Sequence, residues 1–478
     1  MGFIERHQLY SSHQIEAAAE IIRRAECENV RSVRVVFADQ HGLLRGKTIM
    51  GSELASVFRS GLTVVSTLLS KDTSGTTVFP AFSADGGLGI AEMAGAGDIL
   101  MVPDPSTFRV LDWAGNTGWL LCDLYFANGQ PVPLCSRGLM RRAVQRAADQ
   151  GYEVLTGAEL EFHLFRALPH DARSDGSIRS TPDIQGLNTG YQLLSEDRID
   201  AMEPIVTIFG DHLQRLDIPI RTFEVEYGPN QLEVTLNPEI GVRAADTVML
   251  LRSALKQIAR RHGYHATFMC RPKIPRVFSS GWHLHQSLLH TSPNGGENAF
   301  VPSGQEAVLS EVGRQYLAGQ LRHACAASAF AVPTINGYKR FQSYSMAPDR
   351  VLWAKDNRAA MLRVTGSAAD RSTHVENRVG EPTANPYLYM ASQLTAGLNG
   401  IDQRLELGPA AEQPYETEAP RLPATLAEAL QSLAGDAEFT QAFGKQFVDY
   451  YLGIKRHELA RFNASVTDWE HNEYIDLF

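Results

Sequence analysis

Three short segments concentrate acidic and imidazole side chains among apolar residues. They are Ala158-Glu159-Leu160-Glu161-Phe162-His163, Glu224-Val225-Glu226 running through Tyr227-Gly228-Pro229-Asn230 to Glu233, and Ser280-Gly281-Trp282-His283-Leu284-His285. In an extended strand residues i and i+2 share a face, so Glu159 and Glu161 point one way while Leu160 and Phe162 take the other. Two anions held side by side against an apolar sheet repel each other, and a cation between them lets both stay charged. Carboxylate oxygens with few imidazoles suit Mg²⁺ or Mn²⁺ rather than zinc. His283 and His285 alone are ambiguous between metal ligation and core packing, because no third His or Cys stands at convincing spacing. Taken with Glu159, Glu161, Glu226, Glu233 and, far downstream, Glu376, they read as part of a divalent-metal site.

An arginine series follows: Tyr338-Lys339-Arg340, Asp356-Asn357-Arg358, Leu362-Arg363-Val364 and Val375-Glu376-Asn377-Arg378. Guanidinium forks grip carboxylates and phosphates bidentately, so arginines in apolar, extended segments fit an anionic substrate plus a transferring phosphate. Surface salt bridges are the plainer alternative. Gly42-Leu43-Leu44-Arg45-Gly46-Lys47-Thr48 imitates a phosphate-binding loop but places three residues between its glycines, where the phosphate cradle requires four. No Gly-x-Gly-x-x-Gly follows a strand, so a nucleotide, if bound, must be held in another way.

The elements that must position these residues are those of an ordinary globular chain. Its 478 residues, 44% apolar and 21% charged, are enough for two domains. A net charge of -10 argues against a nucleic-acid surface, which needs clustered Lys and Arg. Five cysteines, odd in number and without a Cys-x-x-Cys pair, suggest reduced thiols. The N-terminus has no apolar run behind its charges, and the most apolar stretch, Ala324 to Val332, is too short to span a bilayer, so no membrane role and a cytoplasmic location are expected. Helical spacing over Ile15–Glu28 precedes the β-branched run Val33–Phe37 and a turn at Asp39–Gly42. Strand signals continue to Tyr125, with an Asn128-Gly129 hairpin turn after it, which predicts a small, mostly β N-terminal domain over residues 1–130. Residues 131–478 read as an α+β catalytic domain. Its helices run over Arg137–Gln150 and Arg243–His262, stopped by Gly151 and Gly263, and Pro169–Gln192 is a polar loop.

These motifs in this order resemble the glutamine synthetase superfamily, type I architecture, over nearly the whole chain. The resemblance is carried by Thr156-Gly157-Ala158-Glu159-Leu160-Glu161-Phe162, Glu226-Tyr227-Gly228-Pro229-Asn230-Gln231-Leu232-Glu233, Ser280 to Leu288, Asn336-Gly337-Tyr338-Lys339-Arg340, and Val375-Glu376-Asn377-Arg378 with Ala384-Asn385-Pro386-Tyr387. It implies an N-terminal β-grasp domain, a catalytic domain with a mainly antiparallel sheet, and a homo-oligomer, commonly a dodecamer of two hexameric rings with active sites between subunits. Carried over, Glu161, Glu226 and Glu233 hold one metal, while Glu159, His283 and Glu376 hold the other. Arg340 and Arg378 hold the acid, and His285, Ser287, Arg358 and Arg363 face ATP or its transferring phosphate. Glu226, Arg340 and Arg358 are the expected catalytic groups, and Ser279, Met346 and Ser66 are expected beside the substrates.

The departures fall where the family handles ammonia. Met346 stands in place of the glutamate that follows the Tyr-Lys-Arg motif, and Gly61 to Leu68 carries no counterpart of the ammonium-binding aspartate. A buried ammonium without anionic partners is costly. Apolar Met346, Val65 and Leu68 suit an organic amine instead. Phe278-Ser279 replaces an Asn-Gly pair that contacts glutamate, and His374 replaces an arginine. The expectation is an ATP- and Mg²⁺- or Mn²⁺-dependent ligase that makes a γ-glutamylamide from glutamate and an alkyl, hydroxyalkyl, polyamine or aryl amine. The alternatives are true glutamine synthesis, a ligase for another acid, or a non-catalytic scaffold. Tyr415 is the one candidate for covalent regulation, and the shortness of Glu412–Pro423 argues against it.

Overall fold

The computed structural model describes every residue except 84–85, 169–181, 293–295 and 305–307. Two sheets organise it. The first contains β1 (Ser32–Ala38), β2 (Leu44–Met50), β3 (Leu62–Val65), β4 (Asp98–Pro103), β5 (Arg109–Leu111) and β6 (Thr117–Tyr125) in the order β2-β1-β6-β4-β3, with β5 on β6. Only β1 and β6 run parallel within it. Alternation in β1 buries Val33, Val35 and Phe37 in a core that also takes Ala18, Ile21 and Ala25 of the helix Ser12–Cys27. That helix starts at a capping box, with Ser11 Oγ accepting from the Gln14 amide and Gln14 Oε1 accepting from the Ser11 amide. The helices Ser12–Cys27 and Leu54–Ser60 make this region less purely β than its strand signals suggest.

Gly42–Thr48 forms the β1–β2 turn and most of β2, so the turn leads into a strand and not into the helix that a phosphate-binding loop requires. Gly42 adopts φ 70, and a Cβ there would lie 3.0 Å from Asn385 Cα, so the glycine serves a close packing contact. The Asn128-Gly129 turn forms as expected: the Gly129 amide donates to Phe126 O and the Phe126 amide to Gln130 O.

The second sheet is built from β7 (Tyr152–Ala167), β8 (Ile184–Gln185), β9 (Ile220–Val225), β10 (Gln231–Leu236), β11 (Glu239–Ile240), β12 (Tyr264–Thr267), β13 (Trp282–His290), β14 (Trp353–Lys355), β15 (Leu362–Thr365) and β16 (His374–Asn377). Its order is β14-β15-β16-β13-β7-β10-β9, with β8, β11 and β12 also on β7. Every pairing is antiparallel except β14 with β15, as the α+β expectation requires. Helices Ser136–Asp149 and Arg243–Arg261 end as expected at Gly151 and Gly263, which adopt φ 84 and 77. Residues 169–181 of the expected polar loop lie outside the described residues, and Ile184–Gln185 pairs with β7.

Of the long helices that the sequence did not announce, two were hidden for identifiable physical reasons. Pro386–Asp402 is buried from Pro386 through Gly400, so it shows no polar face and no amphipathic period. Glu196–Arg215 carries Pro204 inside it, which reads as a helix stop. The apolar run at Ala324 proves to be a buried helix, Ala324–Ala331. Among the described residues, no helix is long and apolar enough to cross a membrane.

The two sheets are joined through Arg137, which is 3% exposed. Its guanidinium donates to Asp104 at 2.7 Å, Asp123 at 2.9 Å and Asp246 at 2.7 and 2.9 Å, and the Tyr387 hydroxyl adds a bond to Asp246. Burial opposes its charge, but the surrounding carboxylates hold the guanidinium protonated well above its ordinary range. Removing one partner of such a buried cluster strands the others. Arg137→Ala is therefore expected to lower stability by about 3–5 kcal/mol, read as a drop in the urea midpoint. Arg137→Lys should recover only part of it, because a point charge cannot replace the planar fork.

Candidate active site

Strand register brings the acidic segments together. β7 is flanked by β10 and β13, so Glu161 lies opposite Glu233 and Glu159 opposite His283. One strand further, His285 lies opposite Glu376, which in turn faces Arg363 on β15. Like charges directly across a sheet are destabilising, so this ladder sets anion against anion unless cations intervene. Two trios offer ligand atoms all within 4.8 Å of one another: Glu159, His283 and Glu376, and Glu161, Glu233 and His283.

The first trio is the set expected for one metal. In the second, His283 stands with Glu161 and Glu233, while Glu226 lies outside the trio. Glu226 sits just beyond the end of β9, accepts its neighbour Tyr227's amide at 3.0 Å, and lines the same cavity. Glu161 is fixed through one oxygen, Oε2, which accepts from Gln231 Nε2 at 2.6 Å and the Gly281 amide at 3.0 Å. A Cβ on Gly281 would lie 2.6 Å from Arg340 Nη2 and would push that guanidinium aside.

The electrostatics match a cation-binding site. Burial, then mutual repulsion among Glu161, Glu226, Glu233 and Glu159, pushes Glu161, Glu226 and Glu233 above the usual carboxylate range. Burial also acts on Glu159 and Glu376, but His283 and His285 hold Glu159 well below that range, and Arg378 with His283 brings Glu376 down to about 2. Burial and Arg378 lower His283 to about 4, which keeps the imidazole neutral and able to coordinate. Its Nε2 is buried without a hydrogen-bond partner, 3.8 Å from Glu161 Oε1. Crowded carboxylates and an orphaned imidazole nitrogen fit a divalent cation.

The expected arginines converge as well. Arg363 Nη1 donates to Glu376 Oε2 at 3.0 Å, and Arg378 pairs with the other oxygen. Arg340 is buried, with Nη1 donating to the carbonyls of Arg378 and Val379 at 3.0 and 3.2 Å, and Arg378 Nε donates to the Arg358 carbonyl.

Two cavities open on this cluster. One, of about 810 Å³, is lined by His285, Ser287, Arg363 and His374, with Arg221 and Lys355 as further cations. The other, of about 730 Å³, takes Glu161, Glu226, Glu233, Arg340, Arg358 and Arg378, together with Ser279 and Met346. Glu159, Glu224 and Arg363 line both. Arg358, expected at the nucleotide, lines only the second cavity. Ser66 is buried at 1% exposure within the first sheet's region, and none of residues 61–68 lines either cavity.

Several lining residues went unread in the sequence. Lys355 and Arg221 sit on ordinary strand segments and carry no motif. Arg271, which donates to Ser279 Oγ at 2.9 Å, lies beyond β12 in a loop. Tyr191 and Phe278 line the second cavity and Tyr227 packs against both, an aromatic wall that exists only once three distant segments meet.

Fold and site together define a cluster of carboxylates and an imidazole that could hold divalent ions, flanked by two cavities that carry arginines. The chain belongs to the glutamine synthetase family: the glutamine synthetase catalytic domain matches residues 133–474. It is 41% identical to the gamma-glutamylanilide synthase of an Acinetobacter species, over 100% of this chain and 99% of that one. It is 33% identical to the gamma-glutamylethanolamide synthetase of Streptomyces coelicolor, over 92% of each. A solved structure of ligand-free GmaS superposes with a TM-score of 0.80 at 25% identity, covering 95% of this chain and 99% of that one.

An ion that binds only the folded state stabilises it by mass action. Mg²⁺ or Mn²⁺ at about 100 times its dissociation constant should add about 2.7 kcal/mol per independent site, read as a rise in thermal midpoint. Glu376→Ala and Glu233→Ala should each remove part of that rise. A midpoint indifferent to both ions would contradict the cation-site reading.

Proposed function

We propose that the chain is an ADP-forming carbon–nitrogen ligase that joins the γ-carboxyl of glutamate to an organic amine, giving a γ-glutamylamide. The observation that carries the reading is the meeting of the two cavities at Glu159, Glu224 and Arg363, directly over the two ligand trios. The larger cavity, with His285, Ser287 and Arg363, receives ATP. The smaller, with Arg340, Arg358 and Arg378, receives the acid. A glutamate carboxylate oxygen attacks the γ-phosphorus and ADP departs, leaving a γ-glutamyl phosphate. The amine nitrogen then attacks the acyl carbon, the carbon–oxygen bond to phosphate breaks, and phosphate leaves with the proton shed by nitrogen. Two Mg²⁺ or Mn²⁺ ions, one held by Glu161, Glu226 and Glu233 and the other by Glu159, His283 and Glu376, would neutralise the charge gathering on the transferring phosphate. The arginines fix the acid's position and orientation, which free reactants lack.

The relatives' activities toward aniline- and ethanolamine-derived amides support an organic amine as acceptor. Met346 on the cavity wall supports it too, since no carboxylate stands there to hold ammonium. The match beginning at residue 133 supports an N-terminal β-grasp unit over 1–130 and a catalytic unit over 131–478. The position of Ser66 away from both cavities supports a homo-oligomer in which a neighbouring subunit's 61–68 segment completes the amine site. Five free thiols fit a reducing compartment such as the cytoplasm. A different acid is the second reading, favoured by Phe278 on the wall of the cavity proposed for the acid.

Phosphate release from ATP should require glutamate, a divalent ion and an amine together, and ammonia should replace the amine poorly. Arg358→Ala should lower kcat by about 10²–10³, the usual cost of one charge-stabilising donor. Release that proceeds with another carboxylic acid and not with glutamate would favour the second reading. Release as efficient with ammonia as with any amine would favour glutamine synthesis.

A further inference from the structure

A third cavity, of about 790 Å³, shares no lining residue with the two that meet at the carboxylate cluster. Its walls come from the β1–β2 turn, one face of the helix Arg243–Arg261, the chain just beyond β12, and Lys455 on the helix Lys445–Asn463. It therefore lies where the first sheet's region meets the second, and its size suits a small molecule.

The charge of this cavity is one-sided. Arg45, Arg252, Lys256, Arg260 and Lys455 line it, and no Asp or Glu does. Two of the five cations are paired: Arg45 Nε lies 2.9 Å from Asp39, and Lys455 Nζ lies 3.1 Å from Glu458. The other three stand at i, i+4 and i+8 on one helix, so they share a face and repel along it. Arg252 is 8% exposed, and its guanidinium donates to the carbonyls of Pro382, Ala384 and Gly42 but to no carboxylate. Burial brings Arg252 down to about 10. Lys256 and Arg260 have no ion-pair partner among the described residues. Burial, then Arg252 and Arg260, lowers the Lys256 ammonium, and burial, then Lys256 and Arg260, lowers His265 on β12. Uncompensated charge of one sign in a concave site attracts an anion.

Much of the remaining lining is apolar. Leu43 is 43% exposed and Met269 42%, and Leu44, Met249 and Phe268 line the cavity with them. Exposed hydrocarbon at the same cavity as unpaired cations fits a ligand with an apolar body and an anionic head. On the same wall His41 Nδ1 is buried without a hydrogen-bond partner, a further polar atom left unmet.

We propose that this cavity binds a small organic acid. Lys256 and Arg260 hold its carboxylate or phosphate head, Arg252 adds fixed positive charge, and Leu43, Phe268 and Met269 take its hydrocarbon body. The site is separate from both cavities assigned to substrates, so the inference stands or falls independently of the ligase reading.

The test titrates 4-bromobenzoate into the full-length protein by calorimetry and locates it in soaked crystals by bromine anomalous scattering. A bromine peak is expected in this cavity. The double variant Lys256→Met, Arg260→Met should weaken binding by roughly tenfold or more, the loss of two charge-assisted contacts. Arg358→Ala, which removes a cation from the acid-side cavity, should leave it unchanged. Acetate, which keeps the charge, and 4-bromobenzamide, which keeps the body, should each bind more weakly. Phenyl phosphate binding tighter than benzoate assigns a phosphate head, and the reverse assigns a carboxylate. Because the three helix cations repel one another when no ligand is bound, the double variant should melt at or above the midpoint of the unsubstituted protein. A midpoint several degrees lower, an affinity unmoved by the double substitution, bromine only among Arg340, Arg358 and Arg378, or a neighbouring subunit's side chains filling the cavity overturns the inference.

Discussion

Repulsion among carboxylates that strand register forces together is the constraint on which the rest of this structure depends. Glu161 faces Glu233 across β7 and β10, Glu159 faces His283 across β7 and β13, and Glu376 closes the group from β16. The opposite face of β7 carries Leu160, Phe162 and Leu164, all fully buried. The acidic residues therefore cannot turn away without dragging core side chains into water, because a one-residue slip would exchange the two faces. The sheet fixes the anions, and divalent cations are the chemistry that lets them coexist.

From that cluster the division of labour across the site follows. The larger cavity, proposed for the nucleotide, holds imidazoles and cations on β9, β13, β14, β15 and β16, while the smaller, proposed for the acid, gathers Arg271, Arg340, Arg358, Arg363 and Arg378. Arg363 lines both and bonds Glu376, which in the proposed reaction would put it beside the transferring phosphate. Arg340 is locked to backbone carbonyls and Arg378 to a carbonyl and Glu376, so their charge is held in place and, in the proposed role, would need no further ordering. The Arg137 cluster, far from this chemistry, holds the first sheet against the helices that back the second.

Much of this was legible because chemistry-bearing residues sat in short extended segments with strict alternation. Glu-x-Glu and His-x-His at period two announced one face of a strand, and the sheet placed them on adjacent strands. Other parts were illegible for identifiable reasons. Pro386–Asp402, buried on all sides, shows none of the period that marks a surface helix, and Pro204 disguises another. Glu226 reads as a partner of Glu233 in sequence, yet the chain turns at Tyr227 to Asn230 and leaves it beside the trio. The aromatic wall could not be read from any one segment, since Tyr191, Tyr227 and Phe278 meet only through the packing of three. Ser66 belongs to a segment that the single chain keeps away from both cavities, and sequence motifs are silent on which subunit a residue serves.

The most direct test of the central claim is anomalous diffraction from crystals grown with Mn²⁺ and an ATP analogue. The account predicts two manganese peaks among Glu159, Glu161, Glu233, His283 and Glu376, with the triphosphate running from the His285 and Ser287 side toward Arg363. Crystals with nucleotide bound but no manganese among these side chains, or with the carboxylates paired only to arginines, would contradict it.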